Sequence, residues 1–132
     1  MAAVEWTDRV VPSMRGREFI DVASWLKGLD SEASVRSQTS RLYYAAYREA
    51  RAWCEDHLEY IRNRYSREHA DVARLINAHD TDLAFLRAYR NTADYDMNPG
   101  LETAALQCVD AQRRARRIIA RLDELTAPGT DA

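Results

Sequence analysis

A chain of 132 residues with 46% hydrophobic and 30% charged side chains has the size and composition of one globular domain, long enough to bury about two-thirds of its unfolded surface without staples. That balance excludes a disordered polymer, and the longest purely apolar stretch, Leu42 to Tyr47, falls far short of the ~20 residues a membrane helix needs. The net charge of −2 gives the molecule no bulk attraction for nucleic acid, so any such affinity must come from a local cluster.

Residues 1–12 are expected to form a flexible N-terminus, with no charged segment and apolar run of the secretory kind. Residues 13–125 are expected to form the domain and residues 126–132 a flexible tail. The first helix is predicted from Arg17 to Leu29, with Phe19, Val22, Ala23, Trp25 and Leu26 on its inner side and Gly28 and Asp30 ending it. A second runs from Ser34 to Glu59. There Val35, Leu42, Ala46, Ala50 and Trp53 form a stripe broadened by Tyr43 and Tyr47, which marks the central helix.

Ser66 is a suitable cap for a third helix carrying Ala70, Val72, Ala73, Leu75 and Ile76 up to Ala78. Asp80 or Thr81 opens a fourth, from Asp82 to Asp96, whose apolar positions are Leu83, Phe85, Leu86, Tyr89 and Ala93. Asn98 as cap and Pro99 at the first helical position start the last helix, which runs to Leu125 and is lined by Leu101, Ala105, Cys108, Ala115, Ile119 and Leu122. Four glycines and three prolines leave little to interrupt these segments, and none alternates as a strand does. The expected fold is all-α, an up-and-down bundle of about five helices. Cys54 and Cys108 lie inside helical patterns and read as reduced, half-buried thiols.

Three segments in order resemble the HEPN family (higher eukaryotes and prokaryotes nucleotide-binding). Ser40-Arg41-Leu42-Tyr43-Tyr44-Ala45-Ala46-Tyr47 is close to the core helix of small prokaryotic members, and His69 matches another recurring position. Leu86-Arg87-Ala88-Tyr89-Arg90-Asn91-Thr92-Ala93-Asp94-Tyr95-Asp96 resembles the family's arginine motif. The resemblance covers residues 17 to 125 and implies a HEPN-like bundle. In catalytic members the arginine is followed, one to two helical turns later, by a histidine. Here Arg90 and Asn91 match, but Tyr95 stands in the histidine's place. Cleavage of RNA by its own 2′-hydroxyl needs a group that exchanges protons near neutral pH, which imidazole does and a phenol of pKa about 10 does poorly.

The resemblance therefore implies either a non-catalytic module that binds RNA or a nucleotidyltransferase-type or antitoxin-like partner in a toxin–antitoxin or phage-defence system, or a metal-independent ribonuclease using Arg90 with Asn91, Asp94 and Tyr95. A structural subunit of a larger assembly is a third possibility. Arg64 to His69, Arg74 to His79 and Arg51 to His57 also carry the arginine-to-histidine spacing, but an arginine-rich chain produces such matches by chance. None lies on the fourth helix, and none is expected to be catalytic.

Arg87, Arg90 and Asp94 lie three and four apart on that helix. Their plainest meaning is a surface ion pair. The sharper one is a homodimer that joins two such faces into a polar cleft walled by Tyr89, Tyr95, Tyr43 and Tyr47, although aromatic residues at this spacing are more often core. On the last helix Arg113, Arg114, Arg116, Arg117 and Arg121 are either solvated decoration or a stripe for phosphate or an acidic partner. No metal-binding pattern, nucleophile motif or glycine-rich phosphate loop is present, so no metal or cofactor is expected. The expected location is the cytoplasm.

Overall fold

Apolar side chains spaced three and four apart need a facing surface to cover them, and five helices supply it to one another. The computed structural model describes residues 14–29, 31–61, 68–76, 80–96 and 100–126. They form α1 (Glu18–Leu26), α2 (Glu32–His57), α3 (Glu68–Ile76), α4 (Asp80–Tyr95) and α5 (Gly100–Thr126), with no strand among the described residues. The expected all-helical bundle is the fold observed.

Local chemistry sets the starts and stops. The cap of α2 is Ser31, whose hydroxyl accepts from the Ser34 amide at 3.1 Å, and the helix starts at Glu32, two residues earlier than expected. Ser34 is thereby freed to donate to the Leu26 carbonyl at 2.6 Å, joining the end of α1 to the start of α2. Beyond α2 the chain leaves through Glu59, whose φ of 55° is the left-handed turn that commonly closes a helix. Ahead of α1, a Cβ on Gly16 would lie 2.7 Å from both the Arg48 Cβ and the Glu49 amide nitrogen. Only glycine lets the chain cross α2 that closely. The expected caps Ser66, Asn98 and Pro99, and both predicted flexible ends apart from Thr126, lie outside the described residues.

Cross-helix pairs give the topology. Arg17 meets Glu49 while Leu26 meets Ser34, so α1 and α2 are antiparallel. Arg36 reaches Ala93 and Arg90 lies over Tyr43, which makes α4 antiparallel to α2. Tyr89 bonds Asp110 and Asp82 bonds Arg117, so α5 returns antiparallel to α4. The central α2 touches every other helix, and the short α3 packs on α2 and α4.

Tyr43, Ala46, Ala50 and Cys54 of α2, Val72 of α3, Leu86 of α4, and Ala111, Ala115 and Ile118 of α5 are fully or almost fully buried. Both cysteines are buried free thiols. Some expected inner positions face outward. Trp25 is 79% exposed and Val22 is exposed with it, because the nine-residue α1 covers only the narrow stripe of Ile20 and Ala23. Phe85 and Leu101 are likewise exposed. Phe85 is covered on one face by the Arg114 guanidinium, 4.0 Å from the ring centre, and the buried positions of α5 begin only at Ala104.

Candidate functional site

Rings on α2 set the floor of a groove between α3 and α4. Tyr43 and Tyr47, one turn apart, stack nearly parallel with centroids 5.8 Å apart. The His69 ring of α3 lies on Tyr47 at 4.1 Å, tilted by 13°, and its Nδ1 is hydrogen-bonded to the Tyr43 hydroxyl. Residue 69 shares the inner face of α3 with Val72, Ala73 and Ile76, which the helical period requires of positions three, four and seven apart. Behind it, Glu68 accepts from the Tyr47 hydroxyl and from Arg51, the latter at 2.7 Å.

On α4 the two neighbouring arginines separate. The Arg90 guanidinium turns inward over the rings of Tyr43 and Tyr44, at 5.3 and 5.6 Å from their centroids. Its side chain is 12% exposed and lies 3.9 Å from Asp94, so the expected pair joins an inward-turned cation to a carboxylate at the surface. Ser40 donates to the same carboxylate at 3.4 Å. Arg36 caps the end of α4 by donating to the carbonyls of Ala93 and Asp96. Arg87 points the other way. It is exposed, and it forms no ion pair or hydrogen bond among the described residues.

Tyr43, His69, Arg87 and Asn91, with Ala73, Leu83, Ala84 and Ala88, line an open groove of about 320 Å³. A larger cleft of about 520 Å³ lies near the chain's described beginning. Two of its acids meet Arg17: Glu49 accepts from it at 2.6 Å, and so does Asp123. The smaller groove brings together the Arg87 guanidinium, the Asn91 amide and the His69 imidazole.

Electrostatics there favour neutral rings. Burial first, and then the cationic Arg87 and Arg90, lower the His69 pKa below its ordinary value. Burial also raises the Tyr43 hydroxyl well above the usual phenol range, with Arg87 and Arg90 opposing it. At neutral pH the site therefore holds a neutral imidazole bonded to a neutral phenol beside a cation.

The sequence-predicted residues divide accordingly. Arg87, Asn91 and Tyr43 line the groove, whereas Arg90, Asp94 and Tyr47 stand behind it and Tyr95 is 74% exposed. Tyr89 belongs elsewhere, donating to Asp110 of α5 at 2.7 Å. His69 was not expected at the site, yet it lines it. The signal available was the period that puts position 69 on the inner face of α3.

The arginines of the last helix are not a free cationic stripe. Arg113 and Arg114 pair with Asp110, Arg114 and Arg117 pair with Asp82 of α4 at 2.7 and 2.6 Å, and Arg121 pairs with Glu124. Hydrogen bonding from Arg117 above all, and from Arg114, lowers the Asp82 pKa against the opposing effect of burial. Arg114 and Arg117 thereby hold α5 to α4. Among the described residues no three His, Cys, Asp or Glu side chains gather to hold a metal ion, and no helix is long and apolar enough to cross a membrane. Compared with known proteins, the chain matches no family model, no curated protein and no solved structure.

Proposed function

We propose that this chain is a HEPN-like module of a prokaryotic toxin–antitoxin or phage-defence system that binds single-stranded RNA in the groove between α3 and α4. The observation that carries the proposal is the company Arg87 keeps. An exposed guanidinium without a carboxylate partner is a ready phosphate ligand, and here it shares an open groove of about 320 Å³ with Asn91, His69 and Tyr43. That space suits a single nucleotide, at the small end of ligand sites, and is too small for a duplex. Asn91 offers two donors and an acceptor to a base edge. The resemblance of residues 40–47 and 86–96 to the family supports the same assignment.

The module acts as a homodimer, with one groove on either side of a two-fold axis.

Fluorescence anisotropy with a short labelled single-stranded RNA tests the binding. Arg87→Glu is expected to weaken it by about tenfold or more at low salt, and the salt dependence should correspond to one or two phosphates, a log–log slope of about −0.7 for each. Arg113→Glu, on an arginine engaged with Asp110, is expected to leave the affinity within about twofold. Binding that ignores Arg87→Glu but follows Arg113→Glu would move the site to α5 and refute the proposal.

A further inference from the structure

The outer face of α2 carries a second cationic feature that neither the groove nor the core uses. Arg41, Tyr44 and Arg48 lie three and four residues apart, so they share one face, and both arginines are exposed. Phe19 of α1 lies against them. The Arg41 and Arg48 guanidiniums stand over its ring at 5.8 and 5.2 Å from the centroid, and Tyr44 meets it at 6.4 Å. Neither arginine forms an ion pair or hydrogen bond among the described residues. Nearby acids are engaged elsewhere: Glu18 accepts from the Arg15 amide at 2.6 Å, Glu49 is bound by Arg17, and Asp94 lies beside Arg90. A ring contact fixes a guanidinium without neutralising it and leaves its N–H edge free for phosphate. Seven helical residues set the two cations about 10 Å apart along α2.

This face is continuous with the groove. Tyr44 packs edge-on against Tyr43 with centroids 5.2 Å apart, Arg90 lies over both rings, and Tyr43 lines the groove. Farther along α2, Arg51 is taken by Glu68 and the chain turns acidic at Glu55 and Asp56, so the unpaired cations end at Arg48. We propose that a single-stranded RNA leaving the groove crosses the outer face of α2 over Tyr44, with Arg41 and Arg48 each taking a phosphate. The inference rests on the RNA-binding function proposed above and extends its site from one nucleotide to a strand. Arg87 and the groove grip one nucleotide, and the α2 face adds affinity that grows with strand length. Recognition there is through the backbone and stacking on ring or guanidinium planes, and so is indifferent to sequence.

Fluorescence anisotropy of the full chain with two labelled single strands, of about three and about ten nucleotides, tests it. Wild type is expected to bind the longer strand at least about tenfold more tightly at low salt. Its log–log salt slope should be steeper by about 1.4, two phosphates at about 0.7 each. The double variant Arg41→Gln, Arg48→Gln is expected to lose that gain in affinity and slope while holding the short strand within about twofold of wild type, which shows the fold and the groove intact. Arg41→Lys with Arg48→Lys keeps both charges and should keep the steeper slope. A longer strand that gains nothing in wild type, or a double variant that still shows the full gain, would overturn this inference and leave the groove reading standing. A double variant that weakens both strands alike would assign the arginines to the fold and overturn it as well. Binding of neither strand by wild type would overturn both readings. A polyglutamate peptide that binds wild type but not the double variant, with strand affinities unchanged between them, would give the face to an acidic protein partner instead.

Discussion

Two arginines three residues apart on one helix have different work. Arg90 stacks over Tyr43 and Tyr44 with its side chain 12% exposed, so its guanidinium contributes chiefly through packing and cation–π attraction. Arg87 is solvent-facing and unpaired among the described residues. Arg90→Ala is therefore expected to cost about 1–3 kcal/mol of stability, and Arg87→Ala to stay within about 0.5 kcal/mol, by urea denaturation of each. If Arg90→Ala were neutral and Arg87→Ala destabilising, the roles assigned to the two side chains would be reversed. The sequence showed this pair but not its division, because a helical period places both on one broad face and only α2 decides which of them lies over a ring. His69 was harder still. Its partners are on two other helices, far off in the sequence, and the expected catalytic partner on α4 drew attention to Tyr95, which is exposed and outside the groove.

At the scale of elements, α4 is fastened on both sides and this presents Arg87 and Asn91 in a fixed frame. Toward α2 it is held by Arg36, Ser40 and Arg90, and toward α5 by Asp82 and Tyr89. Asp82 accepts from Arg114 and from Arg117, and its pKa lies below the ordinary carboxylate value. Hydrogen bonds from Arg114, Tyr89 and Arg113 lower that of Asp110 in spite of burial, the largest single influence. The unfolded chain binds protons at these acids sooner than the folded one does. Their contribution is thus fully present above about pH 4 and is lost as pH falls through the folded values. Asp82→Asn should be less stable than wild type at pH 7, with the gap closing as pH falls through the lowered folded pKa of Asp82. Equal stability at pH 7 would mean that the α4–α5 ion pairs contribute nothing. The helices themselves were legible, since apolar spacing and scarce glycine and proline fix them to within a few residues. The ion pairs were not, because Arg113 to Arg121 look alike in sequence and only the return of α4 beside α5 supplies Asp82.

At the scale of the whole molecule, a net charge of −2 and a surface where most arginines of α5 are neutralised leave binding to a local site. Weak, salt-sensitive affinity for a short strand is expected, not avid coating of nucleic acid. The proposed dimer is expected in light scattering at tens of micromolar as twice the mass of a 15.2 kDa chain. A monomer at that concentration would remove the two-fold arrangement and leave the groove of each chain as the unit of binding.

Where the strand lies is the central claim, and a two-dimensional ¹H–¹⁵N NMR titration of the labelled chain with a short 2′-O-methyl single strand tests it most directly. The account expects the largest shifts at Arg87, Asn91 and His69 and at their groove neighbours Ala73, Ala84 and Ala88, all attenuated in Arg87→Glu. Shifts confined to the outer face of α5 around Leu106, Val109 and Arg113, or no shifts at saturating strand, would contradict it.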